Sequence, residues 1–117
     1  MYGWPKDIDV SIVFVGREID VILFTKNSIT LYFDFDISVI ITTDCTYTTS
    51  KTTERISFPV RETSLISLIG YKIFKAELLQ NKDLLLTFFD CSQLLINGNV
   101  KEFKCYSVNI FGKVFEV

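Results

Sequence analysis

Apolar and polar side chains alternate along most of this chain, and short polar clusters break the alternation at intervals. Ile8, Val10, Ile12 and Phe14 alternate with Asp9 and Ser11, which predicts a strand, because a period of two puts every second side chain on one face. Ile19, Val21 and Leu23 fall on one face of the next strand, and Ile29, Leu31 and Phe33 on one face of the one after. The clusters Thr25-Lys26-Asn27-Ser28 and Gln80-Asn81-Lys82-Asp83 carry turn chemistry. Asp34-Phe35-Asp36 turns the chain into a strand over about 37–48, with Val39, Ile41, Cys45 and Tyr47 on one side. Residues 46–55, rich in Thr, Ser and Lys, predict a loop. Residues 63–70 fit a strand or a short helix, with Thr63 or Ser64 as N-cap and Gly70 past its end. Asn97-Gly98 is a two-residue hairpin signal. A last pair of strands over 103–110 and 113–117 turns at Phe111-Gly112.

The pattern occurs twice. Gly16 matches Gly70 at a spacing of 54, and after one inserted residue near Asn81, Leu31 matches Leu86, Phe33 matches Phe88 and Ile41 matches Ile96 at a spacing of 55. Each copy reads glycine, strand, polar turn, strand, acidic turn, strand. Such a three-stranded meander has one apolar face and is too small to stand alone. The predicted fold is therefore all-β, with one short helix near 64–69 as an option. Two pseudo-twofold related meanders would form an antiparallel barrel or a two-sheet sandwich. The expected organisation is one domain over 1–117. Repeat 1 covers about 8–48, a loop about 46–55, repeat 2 about 56–97, and a C-terminal hairpin 103–117. Ile19, Leu31, Phe33, Val39, Ile41, Ile73, Leu86, Phe88, Leu94 and Ile96 are the expected core.

Composition narrows the function. The formal charge of −2 lacks the basic excess that phosphate binding needs. Residues 1–50 hold three bases against seven acids (net −4), and residues 51–117 hold nine bases against seven (net +2). An electrostatic partner of the first half is expected to be cationic. No apolar run approaches the roughly 20 residues a bilayer span requires, and no signal-peptide pattern is visible, so a cytoplasmic location is expected. Cys45, Cys91 and Cys105, an odd number at unrelated spacings, predict reduced thiols.

The chain has no histidine, which removes the usual general base and zinc ligand. No phosphate-cradling glycine loop is present. Asp34 and Asp36, with Asp90 in the second repeat, could pair as acid and base or hold a cation, but turn capping is the stronger explanation, since Asp90 sits at the equivalent place in its unit. Phe14, Phe33 and Phe88 could stack bases, but they alternate with other apolar residues as a core does. Lys101, Lys104 and Lys113 form a mildly basic C-terminal edge. No catalytic residue, metal or cofactor is expected.

The motif pair Val15-Gly16 with Leu31-Tyr32-Phe33-Asp34, and Ile69-Gly70 with Leu86-Thr87-Phe88-Phe89-Asp90, resembles small bacterial proteins of unknown function built from two such repeats. Families of this look include immunity proteins that protect a cell from secreted polymorphic toxins, such as those of contact-dependent inhibition. This chain has Cys91 where such repeats often have glycine. The resemblance implies a non-enzymatic protein that covers the active or substrate-binding surface of one cognate toxin, a cationic domain such as a nuclease. No direct nucleic-acid or membrane contact is expected. The resemblance carries over no functional residue; from the −4 charge of residues 1–50, Asp34, Asp36 and Asp44 are expected to face the toxin, with Tyr47 as an aromatic anchor. The alternative is a β-barrel that holds a lipophilic or nucleotide-like small molecule without catalysis.

Overall fold

A computed structural model describes residues 4, 6–34, 36–98 and 105–117. The predicted strand start at Phe103, the basic positions Lys101 and Lys104, and Phe35 of the acidic turn lie outside the described residues. The chain begins with a helix, α1 (Val10–Phe14), followed by β1 (Ile19–Phe24), β2 (Ile29–Phe33), β3 (Ile37–Ile41), β4 (Cys45–Thr48) and β5 (Thr53–Ile56). A 3-10 helix, Ser64–Leu68, opens a second series: β6 (Ile73–Leu78), β7 (Leu84–Phe88), β8 (Gln93–Ile96), β9 (Tyr106–Ile110) and β10 (Lys113–Glu116). Sheet 1 has the order β1-β2-β3-β9-β10 and sheet 2 the order β5-β4-β8-β7-β6. Every strand pair is antiparallel. The sheets form an open two-sheet sandwich and not a closed barrel.

The two orders are the same order under a pseudo-twofold exchange. Each unit is a short helix, a three-stranded meander and a hairpin, and each hairpin leaves its own meander to complete the sheet of the other unit. This overturns the loop expected at 46–55. Cys45 and Tyr47 point inward and Thr46 and Thr48 outward, so the run is a strand whose polar half is hydroxylic. Thr49 and Thr52 close the β4–β5 turn, the Thr49 amide donating to the Thr52 carbonyl at 2.8 Å. The strand expected over 37–48 is two strands, because the chain changes sheet at 42–44. Asn97-Gly98 is likewise not a hairpin turn; it follows β8 on the crossover toward β9. The second unit accordingly starts at the 3-10 helix and includes the C-terminal hairpin.

The first predicted strand is a helix. Asp9 caps α1 by accepting from the Ser11 amide at 2.9 Å, and Val10, Val13 and Phe14 are buried while Ile12 is 79% exposed. Thr63 caps the 3-10 helix in the same way, accepting from the Leu65 amide at 3.1 Å. Both helices end ahead of a glycine at φ +83 (Gly16) or +89 (Gly70), a region that costs any residue with a Cβ. The glycines lie at the pseudo-dyad. Gly16 donates to the Ile73 carbonyl at 2.8 Å and Gly70 to the Ile19 carbonyl at 2.7 Å, with Ile19 to Tyr71 and Ile73 to Arg17 completing a symmetric ribbon.

The ten expected core residues are all buried, none more than 5% exposed, within one cluster to which both units contribute. Phe14, Phe33 and Phe88 are core side chains, and Phe14 meets Phe33 edge-on at 5.6 Å. Cys91 sits at φ 71, as Asp36 does at φ 58 in the matching turn. That left-handed position is where glycine would be favoured. Among the described residues, no helix is long and apolar enough to cross a membrane.

Candidate interaction face

The proposed partner-binding residues are not gathered at one place. Asp34 and Asp36 lie in the β2–β3 turn and Asp44 beyond the far end of β3, separated by a five-residue strand, roughly 16 Å at 3.3 Å per residue. Asp34 is paired with Arg17 at 3.6 Å, and one of its oxygens is buried without a hydrogen-bond partner. Asp44 is paired with Arg55 at 3.0 Å. Asp36 is exposed, and its carbonyl accepts from the Phe111 amide at 3.0 Å. Tyr47 is a correction: its side chain is 3% exposed in the core, so it has no surface to offer a partner. The hairpin exchange also places Asp44 with sheet 2, so the acids of residues 1–50 do not share one surface. Asp90 does what turn chemistry requires, accepting from the Ser92 amide at 2.9 Å.

Another arrangement emerges from a β-bulge. The register of β1 on β2 shifts between Ile19 and Val21, so one extra residue, Asp20, reverses the alternation. Ile19 stays in the core, Ile22 and Phe24 turn partly inward, and Val21 and Leu23 point out, 50% and 47% exposed. Sequence alternation had placed Val21 and Leu23 on the face of Ile19; the bulge is why they leave it. The ladders then lay out the outer face of sheet 1 in two rows. One runs Val21, Tyr32, Ser38, Asn109, Val114, and the other Leu23, Thr30, Ile40, Ser107, Glu116. Val21, Leu23, Tyr32, Ile40 and Val114 are all at least 40% exposed, while the small hydroxyls Thr30, Ser38 and Ser107 are buried between them. Glu116 is the one charge in the two rows.

Sheet 2 is an internal control. It has the same bulge, between Ile73 and Lys75. Its corresponding rows are Lys75, Thr87, Gln93, Thr48, Thr53 and Glu77, Leu85, Leu95, Thr46, Arg55. Where sheet 1 has Val21, Leu23, Tyr32 and Val114, sheet 2 has Lys75, Glu77, Thr87 and Thr53. Leu85 and Leu95 are only half-exposed, and Lys75 and Glu77 form an ion pair at 3.6 Å. In these two rows the scaffold thus closes its core with charged or hydroxylic residues at most outward positions. The exposed apolar side chains of this sheet lie outside the rows, Phe74 (57%) at the bulge meeting Phe89 (62%) edge-on at 5.3 Å. The exposed side chains on sheet 1 are not a requirement of the fold, and contiguous apolar patches mark interaction sites.

The remaining groups bear on what chemistry is on offer. Burial, reinforced by the charges of Asp44 and Glu54, pushes the Cys45 thiol up from 9.0 to about 12. Burial also raises Tyr106, whose hydroxyl accepts from the Trp4 indole at 2.9 Å and donates to the Lys82 carbonyl at 2.9 Å. Both are held in their neutral forms inside the protein. Among the described residues, no three acids or cysteines gather closely enough to hold a metal ion. Open clefts among the described residues lie elsewhere. One of about 480 Å³ is lined by Gly70, Tyr71, Lys72, Phe89 and Asp90, and one of about 490 Å³ includes Phe24, Val60 and Ile66. An open sheet face with a single charge in its rows, Glu116, can bury surface against another macromolecule, but it cannot enclose a small ligand. No protein-family model, curated protein or solved structure matches the chain.

Proposed function

We propose that this chain is a non-catalytic protein-binding module whose recognition surface is the outer face of sheet 1. We further propose that, as the repeat resemblance implies, it neutralises a secreted toxin by covering the toxin's active or substrate-binding surface. The observation that carries the binding role is the contrast between two outer faces built on one duplicated scaffold. Five exposed apolar side chains stand on one face, and charged or hydroxylic residues replace four of them on the other. From five strands about 4.8 Å apart, the sheet 1 face spans on the order of 400 Å². A standard interface takes roughly 800 Å² from each partner, so the partner must extend beyond the two rows onto their rim.

The second unit supplies the test. Val21→Lys with Leu23→Glu copies the residues at the matching positions, Lys75 and Glu77, and so uses side chains this scaffold already accepts. Stability should stay within about 0.5 kcal/mol of wild type, as for exposed substitutions. Toxin domains encoded beside the chain should be inhibited by wild type and not by the double variant, read as growth rescue and co-purification. Equal rescue by the variant would remove sheet 1 from the function.

A further inference from the structure

We infer that Asn97 is a latent modification site, where the side-chain amide becomes a carboxylate with loss of ammonia, and that a buried clamp on Gly98 holds this reaction off in the folded protein. The reaction consumes water and needs no enzyme. The Gly98 nitrogen attacks the side-chain carbonyl carbon of Asn97, and the new C–N bond closes an imide ring. The bond from that carbon to Asn97 Nδ2 breaks, and ammonia leaves with the Gly98 proton. Water then opens the imide at either carbonyl, which leaves aspartate or isoaspartate at position 97. Among the asparagines of the chain, Asn97 is the one followed by glycine. Glycine favours the step because no Cβ obstructs the closing ring.

The fold withholds what the attack requires. Gly98 is buried and its amide donates to Asp83 Oδ1 at 2.7 Å. Losing that proton would set a second negative charge beside the carboxylate. Asp83 is itself fixed. Its Oδ2 accepts from Asn81 Nδ2 at 3.0 Å, its amide donates to Asn81 Oδ1 at 3.2 Å, and its carbonyl accepts from the Leu79 amide at 2.8 Å. To reach the Asn97 side chain the Gly98 nitrogen must leave Asp83, yet the Lys82 backbone and the Tyr106 ring crowd the glycine. Lys82 is held in turn, because its carbonyl accepts from the Tyr106 hydroxyl at 2.9 Å. On the other side, the Asn97 amide donates to the Asp44 carbonyl at 3.3 Å. The first unit has no counterpart: its crossover, residues 42–44, contains no asparagine. An isoaspartate lengthens the main chain by a carbon beside this crowded glycine. The clamp cannot then re-form, and the change is one-way.

The test is incubation of the folded and the urea-unfolded protein at mildly alkaline pH, with peptide mass spectrometry reading conversion at each asparagine. Asn97 should convert at least about tenfold more slowly in the folded protein, because a reaction confined to an open state scales with the population of that state. Asn27, exposed in the β1–β2 turn, is the internal control and should slow much less. At urea concentrations below the unfolding transition, the Asn97 rate should rise in step with hydrogen exchange at the Gly98 amide. Asp83→Ala, shown by circular dichroism to be folded, should bring the rate to within several-fold of the unfolded one. Equal rates at Asn97 in the two states, or equal slowing at Asn27, overturn the clamp. Faster conversion in the folded protein would make Asp83 the acceptor of the Gly98 proton and overturn its protective role. A folded Asp83→Ala that stays protected also sinks the inference. Should that variant not fold, the urea series on the wild type decides, and an Asn97 rate that does not follow Gly98 exchange refutes the clamp.

Discussion

Gly98 offers the sharpest physical test of the fold, because a single added methyl has a calculable consequence there. A Cβ at this position would stand 2.1 Å from the Lys82 carbonyl oxygen and 2.6 Å from its carbon. Both are backbone atoms, so no side-chain rotation relieves the contact, and one strand of chain must move. The Gly98 amide donates to the Asp83 carboxylate at 2.7 Å, and Asp83 is 7% exposed. The Lys82 carbonyl also accepts from Tyr106, so movement disturbs a buried and a part-buried bond at once. Losing a hydrogen bond to a charged, buried acceptor costs about 1.5–3 kcal/mol, and overpacking a further 1–3. Gly98→Ala should therefore destabilise by roughly 3–5 kcal/mol. With unfolding entropy near 2.1 cal/mol/K per residue over 117 residues, that lowers Tm by about 12–20 °C. Gly112→Ala is the control: its Cβ meets nothing within 4 Å, but its φ is +88. Only the left-handed strain of about 1–2 kcal/mol applies there. Urea and thermal unfolding of both variants decide the matter. If Gly98→Ala costs no more than Gly112→Ala, the close approach of the two chain segments is not as described.

Phe33→Ala and Phe88→Ala occupy matching core positions, 5% and 1% exposed. Each should cost about 3–5 kcal/mol by chemical denaturation, with the two values close to one another. Of the three thiols, Cys91 is exposed while Cys45 and Cys105 are buried, and Cys45 is pushed up to about 12. Iodoacetamide at pH 8 should add one adduct quickly in the intact mass, with the other two appearing only on unfolding. For Glu54, burial acts to raise the carboxyl, but hydrogen bonds from Ser64 and Thr63 outweigh it and hold the group below 4.5. A lowered folded value stabilises above the ordinary carboxylate range and loses that contribution as pH falls through it. Urea midpoints of Glu54→Gln should thus lie below wild type at pH 7 and converge with it near pH 3.

The core was legible because repetition compounds a weak signal: Leu31 with Leu86 and Phe33 with Phe88 mark inward positions twice. Strand identity failed where alternation and helical spacing coincide. In Val10-Ser11-Ile12-Val13-Phe14 the inward set is Val10, Val13 and Phe14, and the sign of a helix is Gly16 standing where Gly70 stands after Leu68. The β4–β5 hairpin was missed because threonine reads as loop by polarity, although Thr49-Ser50-Lys51-Thr52 repeats the chemistry of the accepted turn Thr25-Lys26-Asn27-Ser28. The bulge at Asp20 was also present in the sequence in indirect form. Laying Lys75 and Glu77 over Val21 and Leu23 shows charged residues at positions assigned inward, which a buried strand face excludes. Pairing of strands across the two sheets had no such signal, because both meanders and both hairpins have compatible apolar faces.

That exchange also decides how the proposed binding face is made. β1, β2 and β3 come from the first unit, whereas β9 and β10, with Val114 and Phe111, come from the last residues of the chain. Without β9, the edge of β3 would stand open, and the buried side chains of Tyr106 and Val108 would leave the core. The face therefore exists only when both ends of the chain have folded together, and it cannot be attributed to an acidic first half. Inward positions are tied to two partners, the facing sheet and the exchanged hairpin, and a change there is felt throughout the core. Outward positions on strands of the same scaffold carry no such tie. Divergence between the units should then concentrate on the outside, as Val21 against Lys75 and Leu23 against Glu77 display. Strand preference favours Val, Ile and Tyr at any outward position; the contrast with Lys75 and Glu77 is what the proposed binding role would add to it.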